Sequence, residues 1–118
     1  MDSILGFTLA VTNMDGMVHF YSKVFGISFE RINQFETTLY RGEWNGLNIL
    51  LCPAQIANND AKQNRHQLDI LVQDIQKSVQ LIEGTTGGLL GEITQENSYQ
   101  SIACYDPDNN SIILKQHL

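Results

Sequence analysis

The sequence predicts an α+β domain built from two tandem βαβββ modules, and three observations carry that prediction. The stretch Phe7–Gly26 (FTLAVTNMDGMVHFYSKVFG) reads as a strand running straight into a helix. The same pattern returns 61 residues later, where Leu9 falls on Ile70, Val11 on Val72, Asn13 on Asp74, Met14 on Ile75, Val18 on Val79 and Tyr21 on Ile82. After each helix the chain breaks into three short strand-like runs. Strand face, cap and helix face match together, as expected of two copies of one module.

In the first module, residues 1–52, Phe7, Leu9 and Val11 alternate with Thr8 and Ala10, so Ile4–Thr12 reads as a strand with one apolar face. Asn13 breaks the alternation and suits a helix N-cap, its amide oxygen accepting from an unpaired backbone N–H. Met14, Met17, Tyr21 and Val24 then recur at three- and four-residue spacing, with Phe20 beside them, which predicts a helix over Met14–Phe25 closed by Gly26. Ile27–Ile32 reads as a strand, Asn33-Gln34 as a turn and Phe35–Arg41 as the next strand. Gly42–Gly46 reads as a hairpin loop, because Asn45-Gly46 tolerates positive φ. Leu47–Cys52 is a buried strand ended by Pro53. The polar segment 53–65 is read as a linker.

The second module, 66–118, repeats the order. Gln67–Gln73 is a strand, and Ile75–Glu83 a helix capped by Asp74 and closed by Gly84. Leu89–Gln95, Tyr99–Tyr105 and Ser111–Gln116 are strands. Asp106–Asn109 (DPDN) is a tight turn in which Pro107 fixes φ and Asp106 accepts from the turn's N–H groups.

Composition narrows the function. A formal charge of −6 leaves no basic patch to displace counterions from phosphates, which argues against nucleic acid and against anionic membranes. No apolar run approaches the ~20 residues needed to span a bilayer. Cys52 and Cys104 lie in apolar runs and read as reduced packing thiols, which points to the cytoplasm. No nucleophile–histidine–carboxylate spacing stands out. The glycine-rich GTTGGLLG of Gly84–Gly91 follows a helix, so it is not a phosphate loop.

The βαβββ pair, the F-Y-x-x-V-F-G run from Phe20 to Gly26 and the D-P-D-N-N-S-I-I-L run from Asp106 to Leu114 resemble the vicinal oxygen chelate superfamily. Its members include glyoxalases, extradiol dioxygenases, fosfomycin-resistance thiol transferases and bleomycin-resistance proteins. The resemblance implies that the two modules form a curved mixed sheet, a cup. It also implies a divalent metal held on the concave face by the first and last strands of each module. Carried over position by position, the ligand slots fall on Gly6, the Ile49 region, Gln67 and Ile113. Glycine and isoleucine have no donor atoms and a lone amide is a poor ligand, so no metal or other cofactor is expected. A one-residue slip would bring His66 to the slot, but it would turn Ile70 and Val72 away from the helix.

Strand parity then places Thr8, Ala10, Gln67, Asp69 and Leu71 on the cup wall, with Ser101, Ala103, Tyr105, Ser111, Ile113 and Lys115 facing the same way. Tyr40 and Trp44 lie near a hairpin that reaches the rim. The candidate ligand-binding residues are therefore Thr8, Tyr40, Trp44, Gln67, Asp69, Ser101, Tyr105 and Ile113. The expected function is sequestration of a small organic molecule, with Asp69 suited to a cation, by a homodimer. The alternative is an enzyme of the same superfamily (a metal-dependent lyase, dioxygenase or thiol transferase), or one using Asp69 or Tyr105 as acid or base.

Overall fold

A four-stranded and a five-stranded sheet, each covered on one face by a single helix, organise the computed structural model, which describes residues 2–118. Its order is β1 (Gly6–Val11), α1 (Met14–Phe25), β2 (Phe29–Gln34), β3 (Thr37–Trp44), β4 (Leu47–Pro53), β5 (Leu68–Leu71), α2 (Ile75–Glu83), β6 (Gly88–Leu89), β7 (Thr94–Glu96), β8 (Tyr99–Tyr105) and β9 (Ser111–His117). The first sheet has the order β1-β4-β3-β2, and the second β5-β9-β8-β6 with β7 also on β8. In each, the module's first strand runs parallel to its last and occupies a sheet edge. The α+β class, with two mixed sheets and two helices, is as the sequence predicts.

Both helices match the residues predicted for them, because their signals are local. The Asn13 side chain accepts from the Gly16 N–H, and Gly26 closes α1 at φ 71°. Asp74 accepts from the Lys77 N–H. Helix α1 buries Met17, Phe20, Tyr21 and Val24, and α2 buries Ile75, Ser78 and Ile82. All of these but Ser78 meet Leu9, Val11, Ile49 and Leu51 of the first sheet and Ile102, Cys104, Ile112 and Leu114 of the second in one core. Each large apolar residue so buried contributes about 1.5–3 kcal/mol.

The strand boundaries need correction. The turn expected at Asn33-Gln34 falls instead on Phe35-Glu36, which take φ of 53° and 57°. The Arg31–Tyr40 and Ile32–Leu39 pairings fix it there, so register overrides turn propensity. The loop expected over Gly42–Gly46 shrinks to the two-residue turn Asn45-Gly46, and Gly42–Trp44 stay in β3. The strand expected over Leu89–Gln95 is broken around Gly91 into β6 and β7. The strand expected from Ile4 begins at Gly6, leaving Ile4 and Leu5 exposed.

The segment read as a linker is folded. The N–H groups of Ile56 and Ala57 both donate to the Pro53 carbonyl (3.0 Å each). Asn64 acts as a one-residue strand on the free edge of β1, since its amide donates to the Ala10 carbonyl (3.0 Å) and accepts from the Ala10 N–H (3.3 Å). Among the described residues no helix is long and apolar enough to cross a membrane.

Candidate functional site

The helix-free face of the first sheet carries a pocket of about 450 Å³. Parity builds it: Leu9 and Val11 point to the helix, so Thr8 and Ala10 point away, and with them their ladder partners Leu50 and Cys52. Leu39 lies on the same face and is buried. The segment after β4 bends back and brings Ile56, Asn59 and Asn64 over this floor, while Gln34 and Phe35 close the far side. The floor is apolar and the rim is amide. No side chain lining it carries a charge. Burial pushes the Cys52 thiol above its ordinary value, which keeps it neutral.

The helix-free face of the second sheet carries more polar side chains. Gln67 donates to Ser111 Oγ (2.6 Å). Lys115 Nζ lies 3.4 Å from Asp69 Oδ2 and 5.7 Å from the centre of the Tyr99 ring. The Asp69 side chain is 57% exposed, so this ion pair is screened and weak. Ile113 stands between its ladder partners Asp69 and Ala103, Ser101 stands opposite Lys115, and Tyr105 opposite Ser111. The residues predicted for the cup wall thus fall into separate groups. Thr8 belongs to the first sheet, and Gln67, Asp69, Ser101, Tyr105 and Ile113 to the second.

Tyr40 and Trp44 lie on the opposite, helix-covered face, which corrects their predicted place at the rim. Tyr40 is the ladder partner of Leu51, a member of the buried row. Trp44 packs on Phe25 (4.9 Å between ring centres) and Tyr21 (5.8 Å). The strand runs on to residue 44, and parity carries both rings inward.

The sequence reading also missed how far the DPDN turn reaches. Asp106 is fully buried and accepts from the N–H groups of Asp108 and Asn110, from the Asn110 amide (2.8 Å) and from the Tyr21 hydroxyl (2.7 Å). Asp108 accepts from the Thr12 N–H (2.8 Å), the Thr12 hydroxyl (2.7 Å) and the Asn13 N–H (3.0 Å). Asn110 accepts from the Asn64 N–H (2.7 Å). This latch joins the modules. Burial raises the Asp106 pKa, against the lowering effect of its hydrogen bonds from Asn110, Tyr21 and Asp108. Burial and then the neighbouring Asp106 charge push Cys104 up to about 12 and Tyr21 well above its ordinary value.

No family model matches the sequence, and no curated protein does. Solved structures match across the whole chain. A glyoxalase/bleomycin resistance protein/dioxygenase family enzyme from Burkholderia phytofirmans superposes with a TM-score of 0.78 at 16% identity, covering 99% of this chain and 100% of its own. The fosfomycin resistance protein FosX from Listeria monocytogenes gives 0.77 at 16%, covering 100% and 95%. TnmS3, an antibiotic binding protein from Streptomyces sp. CB03234, gives 0.77 at 13%, covering 100% and 98%. The chain has the vicinal oxygen chelate fold.

The residues at the positions where the resemblance would put a metal do not fit one. Gly6 lacks a donor, and a Cβ built there would collide with the Asn48 carbonyl, so the local backbone also refuses a side chain. Of the Ile49 region, Leu50 faces the open side, whereas Ile49 and Leu51 are fully buried under α1. Gln67 is engaged by Ser111, and Ile113 is hydrocarbon. His66 precedes β5 and is exposed, with Gln67 keeping the parity of Asp69. Among the described residues no group of three His, Cys, Asp or Glu side chains stands close enough to hold a metal ion.

Proposed function

We propose that this protein binds and sequesters a small, uncharged, largely apolar organic molecule in the pocket of the first sheet, without a metal and without transforming it. The observation that carries this reading is the pocket itself: about 450 Å³, with an apolar floor, an amide rim and no charged lining. That is the size and character of sites that take small organic ligands. A cation is the weaker choice, because Asp69 lies on the other sheet and is already paired with Lys115. TnmS3 supports the reading as an antibiotic binding protein of the same fold. The free thiols Cys52 and Cys104 suit a reducing compartment such as the cytoplasm.

The working unit in this reading is a homodimer. β1 pairs with β4 and β5 with β9, which leaves each first strand at a sheet edge, with β1 met by Asn64 at Ala10, and closed two-fold association is the common remedy for such edges. The first sheet of one copy beside the second sheet of its partner would complete a cup.

The test is a thermal-shift screen of neutral, cationic and anionic aromatic compounds, followed by calorimetry on the best compound. Neutral compounds should lead. Thr8→Arg, at an exposed position of the pocket, should weaken binding by about tenfold or more with little change in stability. Sedimentation should give twice the 13.3 kDa chain. Preference for cations, indifference to Thr8→Arg, or conversion of the compound seen by mass spectrometry would defeat the reading, the last in favour of an enzyme.

A further inference from the structure

The helix-covered face of the first sheet is not covered throughout. Helix α1 packs its Tyr21 and Phe25 on Trp44 of β3, while beside its first turn Arg31 of β2 and Thr38 and Tyr40 of β3 border open space. A cleft of about 550 Å³ remains between them, on the side of the sheet opposite the pocket already described. Its base is apolar, from Val11, Met14 and Pro53. Asp15 of α1 and Arg31 of β2 line it from two different elements. Arg31 is the ladder partner of Tyr40, which also lines the cleft.

Among the described residues these two charges have no ion-pair partner. Among the described residues the one ion pair is Lys115–Asp69, so Asp15 and Arg31 pair neither with each other nor elsewhere. The Tyr40 hydroxyl has no protein hydrogen-bond partner among those residues either, whereas Thr12, at the cleft's edge, is held by Asp108. One cation and one anion, unpaired among the described residues, thus line a concavity whose base is hydrocarbon.

We propose that this cleft is a second binding site, for a small zwitterion of the α-amino acid or short-peptide class. The guanidinium of Arg31 presents a planar fork of donors that matches a carboxylate. Asp15 is a single carboxylate that suits an ammonium group. Val11, Met14 and Pro53 receive the ligand's apolar part. A ligand bearing only one charge would leave the other protein charge without a partner in the cleft, which is the basis of discrimination. The volume lies within the ~300–1,000 Å³ of small-molecule sites.

Amide NMR of the isotope-labelled full chain tests this directly. Each of the common amino acids is titrated to millimolar concentration, followed by the amine and the acid obtained from the best one by removing its carboxylate or its ammonium group. At least one amino acid is expected to shift the Asp15, Arg31 and Tyr40 signals while leaving Ile113 and Lys115 unmoved. The amine and the acid should each bind about tenfold more weakly or worse. Arg31→Gln and Asp15→Asn are exposed substitutions that should preserve the remaining spectrum and each weaken binding by a similar factor. Absence of shifts with every amino acid, equal binding of the amine or the acid, or unchanged affinity in both variants overturns the proposal. Because the readout sits on the face away from Thr8, none of these outcomes bears on the pocket of the first sheet.

Discussion

Tyr21→Phe removes one oxygen from the centre of the latch. Tyr21 is buried, and its hydroxyl donates to Asp106 Oδ2 at 2.7 Å. A hydrogen bond to a charged group contributes about 1.5–3 kcal/mol. Asp106 keeps three other donors, from Asp108 and twice from Asn110, so the lower part of that range applies, about 1.5–2 kcal/mol. For a chain of this size the melting temperature should fall by about 6–8 °C. The loss should also depend on pH. The folded pKa of Asp106 is raised, so its effect on stability is most favourable below the ordinary value of 3.8 and is lost as pH rises through the folded value. The Tyr21 hydroxyl acts against that rise. Without it the folded pKa climbs further, and the variant should lose most at neutral pH and least in acid. Urea unfolding of both proteins at neutral pH and near the ordinary carboxylate pKa measures this. A loss below about 0.5 kcal/mol, under half of even a modest net hydrogen bond, or one equal at both pH values, would show that the hydroxyl does not hold the carboxylate's charge.

Two further predictions concern the thiol and the strained turn. Cys104, pushed from 9.0 up to about 12, stays protonated in the folded state while the unfolded thiol ionises, so stability should fall between those values as pH rises. The slope from this group approaches ~1.4 kcal/mol per pH unit, and Cys104→Ala should be flatter in that window whatever its cost at pH 7, as alkaline urea titrations will read. Phe35 and Glu36 both hold positive φ without being glycine, and Phe35 is 64% exposed. Replacing the pair by Asn-Gly, which suits such a turn, should raise stability by about 1–2 kcal/mol, and a melting temperature unchanged or lowered would show the turn to be unstrained.

What the sequence disclosed follows from how far each signal reaches. The helices were legible because cap, face and closing glycine all lie within one turn of the residues they govern. The acceptor role of Asp106 towards its own turn was legible for the same reason. Its bond to Tyr21, 85 residues away, was not, and neither was the Asn64 amide lying along β1. Tyr40 and Trp44 were misplaced because a strand's parity depends on its pairing, and β3 takes its register from Arg31 and Leu51 rather than from its own composition. Alternation alone reads Thr8 and Ala10 as facing away from the helix, on the face they share with their ladder partners Leu50 and Cys52. The rest of that pocket, Ile56, Asn59 and Asn64, comes from a polar segment with no periodicity to read.

Asp108 holds the start of α1 from 96 residues further along the chain. On a ribosome adding ~5–20 residues per second, Thr12 and Asn13 therefore emerge about 5–20 s before their acceptor exists. Contacts of such sequence separation also form late in folding. The first module spends that interval without its clamp, its apolar core rows open to chaperones or to other chains. Native order arrives at the two ends together, when the turn at residues 106–110 docks, and a chain arrested short of it would hold both helices' residues yet no completed core.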